Sequence, residues 1–409
     1  MAAAPVAVGY PPSVTDGPAR PFALSADQQR LVAEVRELAR EVLAPLAAAG
    51  QPGRVNRELV RALGAHGLIA RVLPATAPPA RGAEAEPPQP SAMVLCLLRE
   101  ALARESTEAE TALALQGLGG HPIAAAGGPT VRDRFLPAVV AGRAVAAFAL
   151  SEPTAGSDAA ALDLRADRDG DGFRLTGTKA WISNAPEADV YTLFARTTPG
   201  ARARGITAFA VPGDAPGLTG QPVRLLAPHA IGRLELDEVH VGPDQVLGRV
   251  DEGFGLAMAT LDRFRPSVGA FAVGMAQAAL DLAVAHAAGR EAFGRPISEF
   301  QAVAHGLAEA ATRTQAARLL VYEAASRHDA DPSAPGVGAA AAMAKLYATE
   351  TAQAVVDAAV QVLGARALER GHLLEHLYRE VRAPRIYEGT SEIQRSVIAR
   401  ELFRARVDP

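Results

Sequence analysis

The hydrophobic period of this chain changes twice along its length, and that double change limits the folds it can reach. From Ser25 to about Ala49 apolar residues recur every three or four positions (Leu31, Val32, Val35, Leu38, Val42, Leu43), and Ser25 with Gln28 is spaced as a capping box. Asn56 to Leu68, Ser91 to Ser106, Glu108 to Leu118 and Thr130 to Val140 continue the helical period between Gly and Pro breakers. After Arg143 the pattern becomes short β-branched and aromatic runs: Ala146 to Leu150, Phe173 to Leu175, Tyr191 to Ala195, Ile206 to Val211, Val223 to Leu226 and Leu234 to Val241. Asp169-Gly170-Asp171-Gly172 supplies residues that tolerate positive φ for a hairpin between two of these strands. From Phe254 the helical period returns, with a kink or break expected at Pro266, a capping box at Ser298 and Gln301, and a helix from about Val337 to Gly364. The order is α, β, α. The expected division is a disordered leader over 1–22, a helical domain over 23–143, a β domain over 144–247 and a second helical domain over 248–409.

A chain of 409 residues can bury a large core and divides into two or three domains. Its net charge of -4 offers no basic footprint for nucleic acid or an anionic membrane. The single cysteine, Cys96, excludes an internal disulfide framework and sits in an apolar run, as a buried inert thiol does. The N-terminal segment has no cationic start or continuous apolar stretch, and charges interrupt the alanine-rich segments before the roughly 20 apolar residues of a membrane span. A soluble, cytoplasmic protein is expected. The proline-rich stretch Pro74 to Pro90 reads as a loop.

Chemistry is concentrated in Arg385-Ile386-Tyr387-Glu388-Gly389-Thr390-Ser391-Glu392-Ile393-Gln394-Arg395. Glu388 is the candidate general base: Gly389 permits a tight turn, and Thr390 or Ser391 can cap the following helix, with Gln394 completing a capping box on Ser391. His372-Leu373-Leu374-Glu375-His376 has the spacing of a zinc-hydrolase motif but lacks a third ligand, and a solvated helix face explains it better. No Gly-x-Gly-x-x-Gly stands between a strand and a helix, and Gly117-Leu118-Gly119-Gly120 lies in helical surroundings, so a Rossmann nicotinamide site is not expected.

Four further stretches, taken in order, resemble the acyl-CoA dehydrogenase family from about Phe22 to the last helix. They are Phe148-Ala149-Leu150-Ser151-Glu152-Pro153-Thr154-Ala155-Gly156-Ser157-Asp158, Lys179-Ala180-Trp181-Ile182-Ser183-Asn184, Arg290-Glu291-Ala292-Phe293-Gly294-Arg295-Pro296 with Phe300-Gln301, and Gln361-Val362-Leu363-Gly364. The resemblance implies a multidomain α+β fold with an N-terminal helical domain, a middle β-barrel or sandwich, and a C-terminal four-helix bundle. It also implies FAD, held without a Rossmann fingerprint. Phe148, Leu150 and Ser151 would line the isoalloxazine, Ser157 would meet the pyrophosphate, Gly156 belongs to the same cofactor set, and Trp181 with Ser183 would lie against the ring. Arg290 and Gln301, with Gln361 and Gly364, resemble residues that grip the FAD of a neighbouring subunit, and Phe293 and Phe300 belong to the same cofactor set, implying a dimer or, more often in the family, a homotetramer built as a dimer of dimers. Gly389, Thr390 and Glu392 belong to the same cofactor set, while Asp262, Arg265, Tyr387 and Gly389 would lie near the substrate.

The reaction implied is α,β-dehydrogenation of an acyl-CoA thioester, with Glu388 taking the α proton and the flavin the β hydride, and an electron-transferring flavoprotein or similar acceptor downstream. An acyl-carrier-protein dehydrogenase or an oxidase on the same fold is the alternative, and a non-catalytic flavin-binding protein a more distant one. Ser183 stands where the family more often has threonine, Ala365 where a second glycine is usual, and Leu225 to Gly232 departs from the usual polar loop. By position, Leu113 and Gln116 would face either the acyl tail or the helix core.

Overall fold

The computed structural model describes residues 23–73 and 91–407, with side chains through Arg404. The expected leader over 1–22 and the loop from Pro74 to Pro90 lie outside the described residues.

Seven helices form the N-terminal layer: α1 Ala26–Leu38, α2 Ala44–Ala48, α3 Arg57–Ala65, α4 Leu68–Val72, α5 Ala92–Glu105, α6 Thr107–Ala126 and α7 Pro129–Val140. Short polar side chains start them, because the first backbone N–H groups of a helix lack partners within it. Ser25 and Gln28 make both bonds of the capping box on α1, Asn56 caps α3, Ser91 caps α5 and Ser106 caps α6.

The middle of the chain forms β1 Ala146–Ala149, β2 Arg165–Asp169, β3 Gly172–Ser183, β4 Val190–Arg196, β5 Ile206–Pro212, β6 Leu218–Pro222, β7 Ile231–Val241 and β8 Val246–Leu247. The sheet runs β6-β7-β3-β2-β4-β5-β8, with β1 parallel to β4. The expected hairpin is present, with Asp169 paired to Gly172 across Gly170 and Asp171. Two strand expectations need correction. Val223 to Leu226 is no strand: Pro222 ends β6, and beyond the bond from Val223 N to the Ile231 carbonyl the chain leaves the sheet, with Leu225 and Leu226 exposed. Conversely, β3 continues from Phe173–Leu175 to Ser183: Thr176, Gly177 and Lys179 break the apolar alternation, while pairing with β7 continues on either side of two register shifts.

The chain then forms α8 Gly253–Gly289, the hairpin β9 Glu291–Ala292 and β10 Arg295–Pro296, α9 Gln301–Ala330, α10 Val337–Leu363, α11 Leu373–Glu380 and α12 Ser391–Val407. Helix α8 runs uninterrupted through Pro266, so of the kink or break expected there the break does not occur. Its middle is buried against α5, α9 and α10, and that packing outweighs the one backbone bond proline removes. The expected capping box at Ser298 and Gln301 is also absent: a short 3-10 turn over Ile297–Glu299 intervenes, and α9 starts after Phe300 with no side-chain cap. Helix α8 is long and apolar enough to cross a bilayer, yet its apolar surface is the core of the bundle formed with α5, α9 and α10.

One apolar core joins the N-terminal helices to the sheet, and a second fills the C-terminal bundle, with α5 contributing to both. Cys96 lies in the second core, where burial pushes its thiol pKa up.

Candidate active site

Glu388 and Gly389 occupy successive left-handed conformations, with φ of 52° and 92°. A non-glycine residue rarely adopts that conformation unless neighbours fix it. Here three helices do so. Gln394 Nε2 of α12 donates to the carbonyl oxygens of Glu388 at 3.1 Å and Gly389 at 3.0 Å. Lys345 Nζ of α10 donates to the Gly389 oxygen at 2.6 Å, and Arg265 Nε of α8 reaches the Glu388 oxygen at 3.4 Å. A Cβ on Gly389 would lie 2.5 Å from Gln394 Nε2, so only glycine fits this turn without displacing its clamp. The expected capping box therefore forms differently: Thr390 Oγ1 accepts from Ile393 N at 3.3 Å, Gln394 is drawn to the turn, and Ser391 bonds Glu350 at 2.6 Å.

The Glu388 carboxyl oxygen Oε2 is buried and has no hydrogen-bond partner among the described residues. Burial raises the Glu388 pKa against the opposing pull of Arg99, Lys345 and Arg265. Lys345 is completely buried; desolvation lowers its pKa to about 8 although Glu388 and other carboxylates favour its charge. Arg265 pairs with Asp262 one helical turn away.

Tyr387 precedes the base and is 37% exposed, and its hydroxyl makes no hydrogen bond to a described residue. Behind it lies a polar layer that composition and periodicity do not reveal. Arg99 of α5 pairs with Glu110 of α6, both buried, and donates from Nη1 to Ser267 Oγ at 2.7 Å. His229 Nε2 meets Glu380 Oε2 at 2.7 Å, joining the loop before β7 to the end of α11. Burial opposes the charge on His229, but Glu380 prevails and raises its pKa; the same partnership lowers that of Glu380 against its own desolvation. The departing loop is thus bound to α11, with Arg379 Nη1 also donating to the Leu226 oxygen at 3.3 Å. Next to it, a cleft of about 230 Å³ is lined by Glu108, Thr111 and Leu115 of α6 together with Asn184 and His229.

Leu113 and Gln116 belong to the core. Gln116 ties α6 to β1, donating to the Ala144 oxygen at 2.8 Å and accepting from Ala146 N at 2.7 Å. The face of α6 that meets open space carries Thr111 and Leu115 instead.

A second surface is built where β1 meets β3. Lys179 is buried and donates from Nζ to the Leu150 oxygen at 3.0 Å and to Glu152 Oε1 at 2.8 Å, while Glu152 also accepts from the backbone N of Asp163 and Leu164. Ala180 N donates to the Ser151 oxygen at 3.0 Å. These bonds fix Leu150 and Ser151 beside a break in the β3–β7 register between Lys179 and Ile182. At that break Trp181 takes φ 56° and turns outward, 48% exposed, so it is not a core aromatic. Ser183 is partly exposed on the same strand, Phe148 packs on Phe194 at 5.0 Å, and Gly156 and Ser157 are exposed in the following loop. An outward indole with hydroxyl groups nearby fits a large planar ring carrying polar substituents.

The remaining expected residues lie elsewhere. Arg290 ends α8, Gln301 begins α9, and Gln361 and Gly364 close α10. Because these helices run up, down and up, all four gather at one end of the bundle, exposed, with Phe293 and Phe300 in a T-shaped pair at 6.0 Å. Arg290 is about 37 Å along α8 from Arg265, at 1.5 Å per helical residue. The chain's own base and its own Arg290 therefore occupy distant parts of one subunit. Glu392 is exposed in the first turn of α12. The His372 ring nitrogen Nδ1 accepts from Leu374 N and caps α11, whereas His376 turns to Thr107 at 2.6 Å. That divergence gives them separate structural roles.

A helical layer, a β-sheet and a helical bundle thus bring a carboxylate with one buried oxygen, unpartnered among the described residues, near the junction of the two helical parts, with an outward aromatic on the sheet. Comparisons with known proteins agree with that class. Models of the N-terminal, middle and C-terminal domains of acyl-CoA dehydrogenase match residues 25–143, 147–239 and 251–403. The chain belongs to the acyl-CoA dehydrogenase family, and with that assignment come the oxidoreductase class and FAD as the family's cofactor. It is 36% identical over 385 residues to the cyclohexane-1-carbonyl-CoA dehydrogenase of Geobacter metallireducens, covering 93% of this chain and 98% of that protein. The butyryl-CoA dehydrogenase structure from Megasphaera elsdenii superposes with a TM-score of 0.85 at 30% identity, covering 94% of this chain and 100% of that one. The FAD complex of PigA superposes with a TM-score of 0.83 at 26% identity, covering 94% and 99%.

Proposed function

We propose that this chain is an FAD-dependent dehydrogenase of acyl-CoA thioesters in which Glu388 removes the α proton to give a trans-2-enoyl product. The observation that carries the reading is the Glu388 carboxylate: raised in pKa, with Oε2 buried and unpartnered among the described residues, and held by a clamped left-handed turn. A carboxylate with an empty acceptor site and a raised pKa is equipped to take a carbon-bound proton that water would leave in place. Arg99, Lys345 and Arg265 oppose that rise and favour the ionised form of Glu388.

Bound FAD supplies the acceptor for the β hydrogen. Phe148, Leu150, Ser151, Trp181 and Ser183 would hold its ring, with Gly156 and Ser157 toward its pyrophosphate, and Gly389, Thr390 and Glu392 on the C-terminal side. Tyr387, Gly389, Asp262 and Arg265 would orient the thioester. The distance along α8 between Arg265 and Arg290 favours assembly: Arg290, Phe293, Phe300, Gln301, Gln361 and Gly364 would serve the cofactor of a second subunit in a homotetramer. Electrons would leave to an electron-transferring flavoprotein or similar acceptor, in the cytoplasm.

The test is anaerobic bleaching of the purified yellow holoprotein by acyl-CoAs of varied length and branching. Bleaching by at least one, accompanied by enoyl product, supports the reading; no bleaching by any thioester contradicts it.

A further inference from the structure

We propose that Lys179 is a positioning residue for the flavin: its ammonium holds and polarises the peptide group between Leu150 and Ser151, making the Ser151 N–H a strong donor to the bound ring. The inference rests on the reading that Leu150 and Ser151 line that ring.

The ground is the pair of acceptors chosen by a buried charge. Lys179 is completely buried, and burial lowers its pKa to about 8 against the support of Glu152. Its Nζ donates to Glu152 Oε1 at 2.8 Å and to the Leu150 carbonyl oxygen at 3.0 Å. A buried ion pair of this kind is a weak stabiliser, and apolar side chains of similar volume often serve a fold as well or better. An apolar side chain cannot bind a backbone carbonyl.

That carbonyl belongs to the same planar amide as the Ser151 N–H. Drawing electron density toward the Leu150 oxygen leaves the N–H more positive, the cooperative effect of linked hydrogen bonds. The groups on either side are engaged: the Ser151 oxygen accepts from Ala180 N at 3.0 Å, and Glu152 N donates to the Ala155 oxygen at 3.1 Å. The Ser151 N–H itself bonds to no described residue, and Ser151 is partly exposed. One end of this amide is thus polarised while the other is open to a ligand.

Glu152 makes the arrangement rigid. Its carboxylate also accepts from Asp163 N at 2.6 Å and Leu164 N at 3.0 Å, which ties both ends of the loop carrying Gly156 and Ser157 to the same lysine. A donor to the ring favours the electron-richer reduced flavin over the oxidised one, so its strength sets the midpoint potential as well as the affinity.

The experiment measures FAD affinity and flavin midpoint potential in the unaltered holoprotein and two variants. Lys179→Met/Glu152→Gln removes both buried charges together. The second variant replaces the Leu150–Ser151 amide by an ester through nonsense suppression, deleting the N–H alone, and it decides the matter if the first does not fold. In each, reduced FAD should lose about tenfold more affinity than oxidised FAD, the scale of one hydrogen bond to a charged group. For this two-electron couple that is a midpoint about 30 mV more negative. The ester variant should melt near the unaltered protein, because its missing N–H has no partner in the fold. Equal loss of affinity for both redox states would overturn the tuning and leave Lys179 a structural role. Unchanged affinity and potential in the ester variant would overturn the placement of the ring beside Ser151. Both results are distinct from failure of the dehydrogenase reading, which shows as no bleaching of the unaltered holoprotein by any acyl thioester.

Discussion

Lys345 Nζ donates to the Gly389 carbonyl oxygen at 2.6 Å, placing a wholly buried cation beneath the turn that carries Glu388. The ammonium both holds the turn and favours the ionised base. Lys345→Met should therefore raise the Glu388 pKa further, moving the rising limb of the kcat/KM pH profile to higher pH, where the base is ionised. Turnover at neutral pH should fall by about tenfold or more, as expected for moving a general base off its working range. An unmoved limb with equal loss at every pH would assign Lys345 a purely structural role.

Gly389→Ala adds a Cβ that meets Gln394 Nε2 at 2.5 Å and forces an L-residue to φ 92°. The folded protein should lose about 1–3 kcal/mol, the usual cost of a sparsely populated backbone conformation. Because the change displaces the base more than the rest of the cleft, kcat should fall by a larger factor than substrate affinity. Denaturant unfolding and steady-state kinetics measure the two effects.

Trp181 is held outward at a break in the β3–β7 register, so its replacement should cost the fold little. Trp181→Ala is expected to be purified with less bound FAD, and Trp181→Phe with more than the alanine variant. The ratio of visible to ultraviolet absorbance after gel filtration reads this directly.

The His229–Glu380 bond links the middle sheet's loop to α11, and its pH dependence has a defined sign. His229 is raised above its ordinary 6.5, so its contribution to stability is complete below that pH and lost as pH rises through the folded value. Glu380 is lowered below its ordinary 4.5, so its contribution is complete above that pH and lost as pH falls through its folded value. The loss of stability in His229→Gln should be largest between these ordinary values, and melting curves across pH 4 to 9 measure it. A penalty that grows toward alkaline pH would contradict the ion pair.

Local rules carried much of this structure. Helix caps at Ser25, Asn56, Ser91 and Ser106, the hairpin at Gly170 and the alternation along β4 and β5 are set by neighbours in sequence, and these elements form where those neighbours place them. Where tertiary packing overrides local preference, expectation and structure part. Pro266 sits in a helix too well buried to break, Gln394 abandons Ser391 for the Glu388 turn, and Leu225 and Leu226 leave the sheet because Pro222 ends it. Within the candidate site, Glu388 stands out by its glycine and hydroxyl neighbours. Lys345, Arg99, Glu110 and Glu380 do not, since each lies in an ordinary helical run and gains meaning only from a partner on another element. The one available signal was a charged residue on an otherwise buried helix face, as at Glu110 and Lys345.

The central claim is that Glu388 is the base, and rapid-mixing reduction of the flavin without oxygen tests it most directly. Glu388→Gln keeps size and polarity but cannot accept the proton, so the variant should remain yellow, bind the acyl thioester and reduce its flavin about 100-fold more slowly or worse. Flavin reduction at the unaltered rate in that variant would contradict the account.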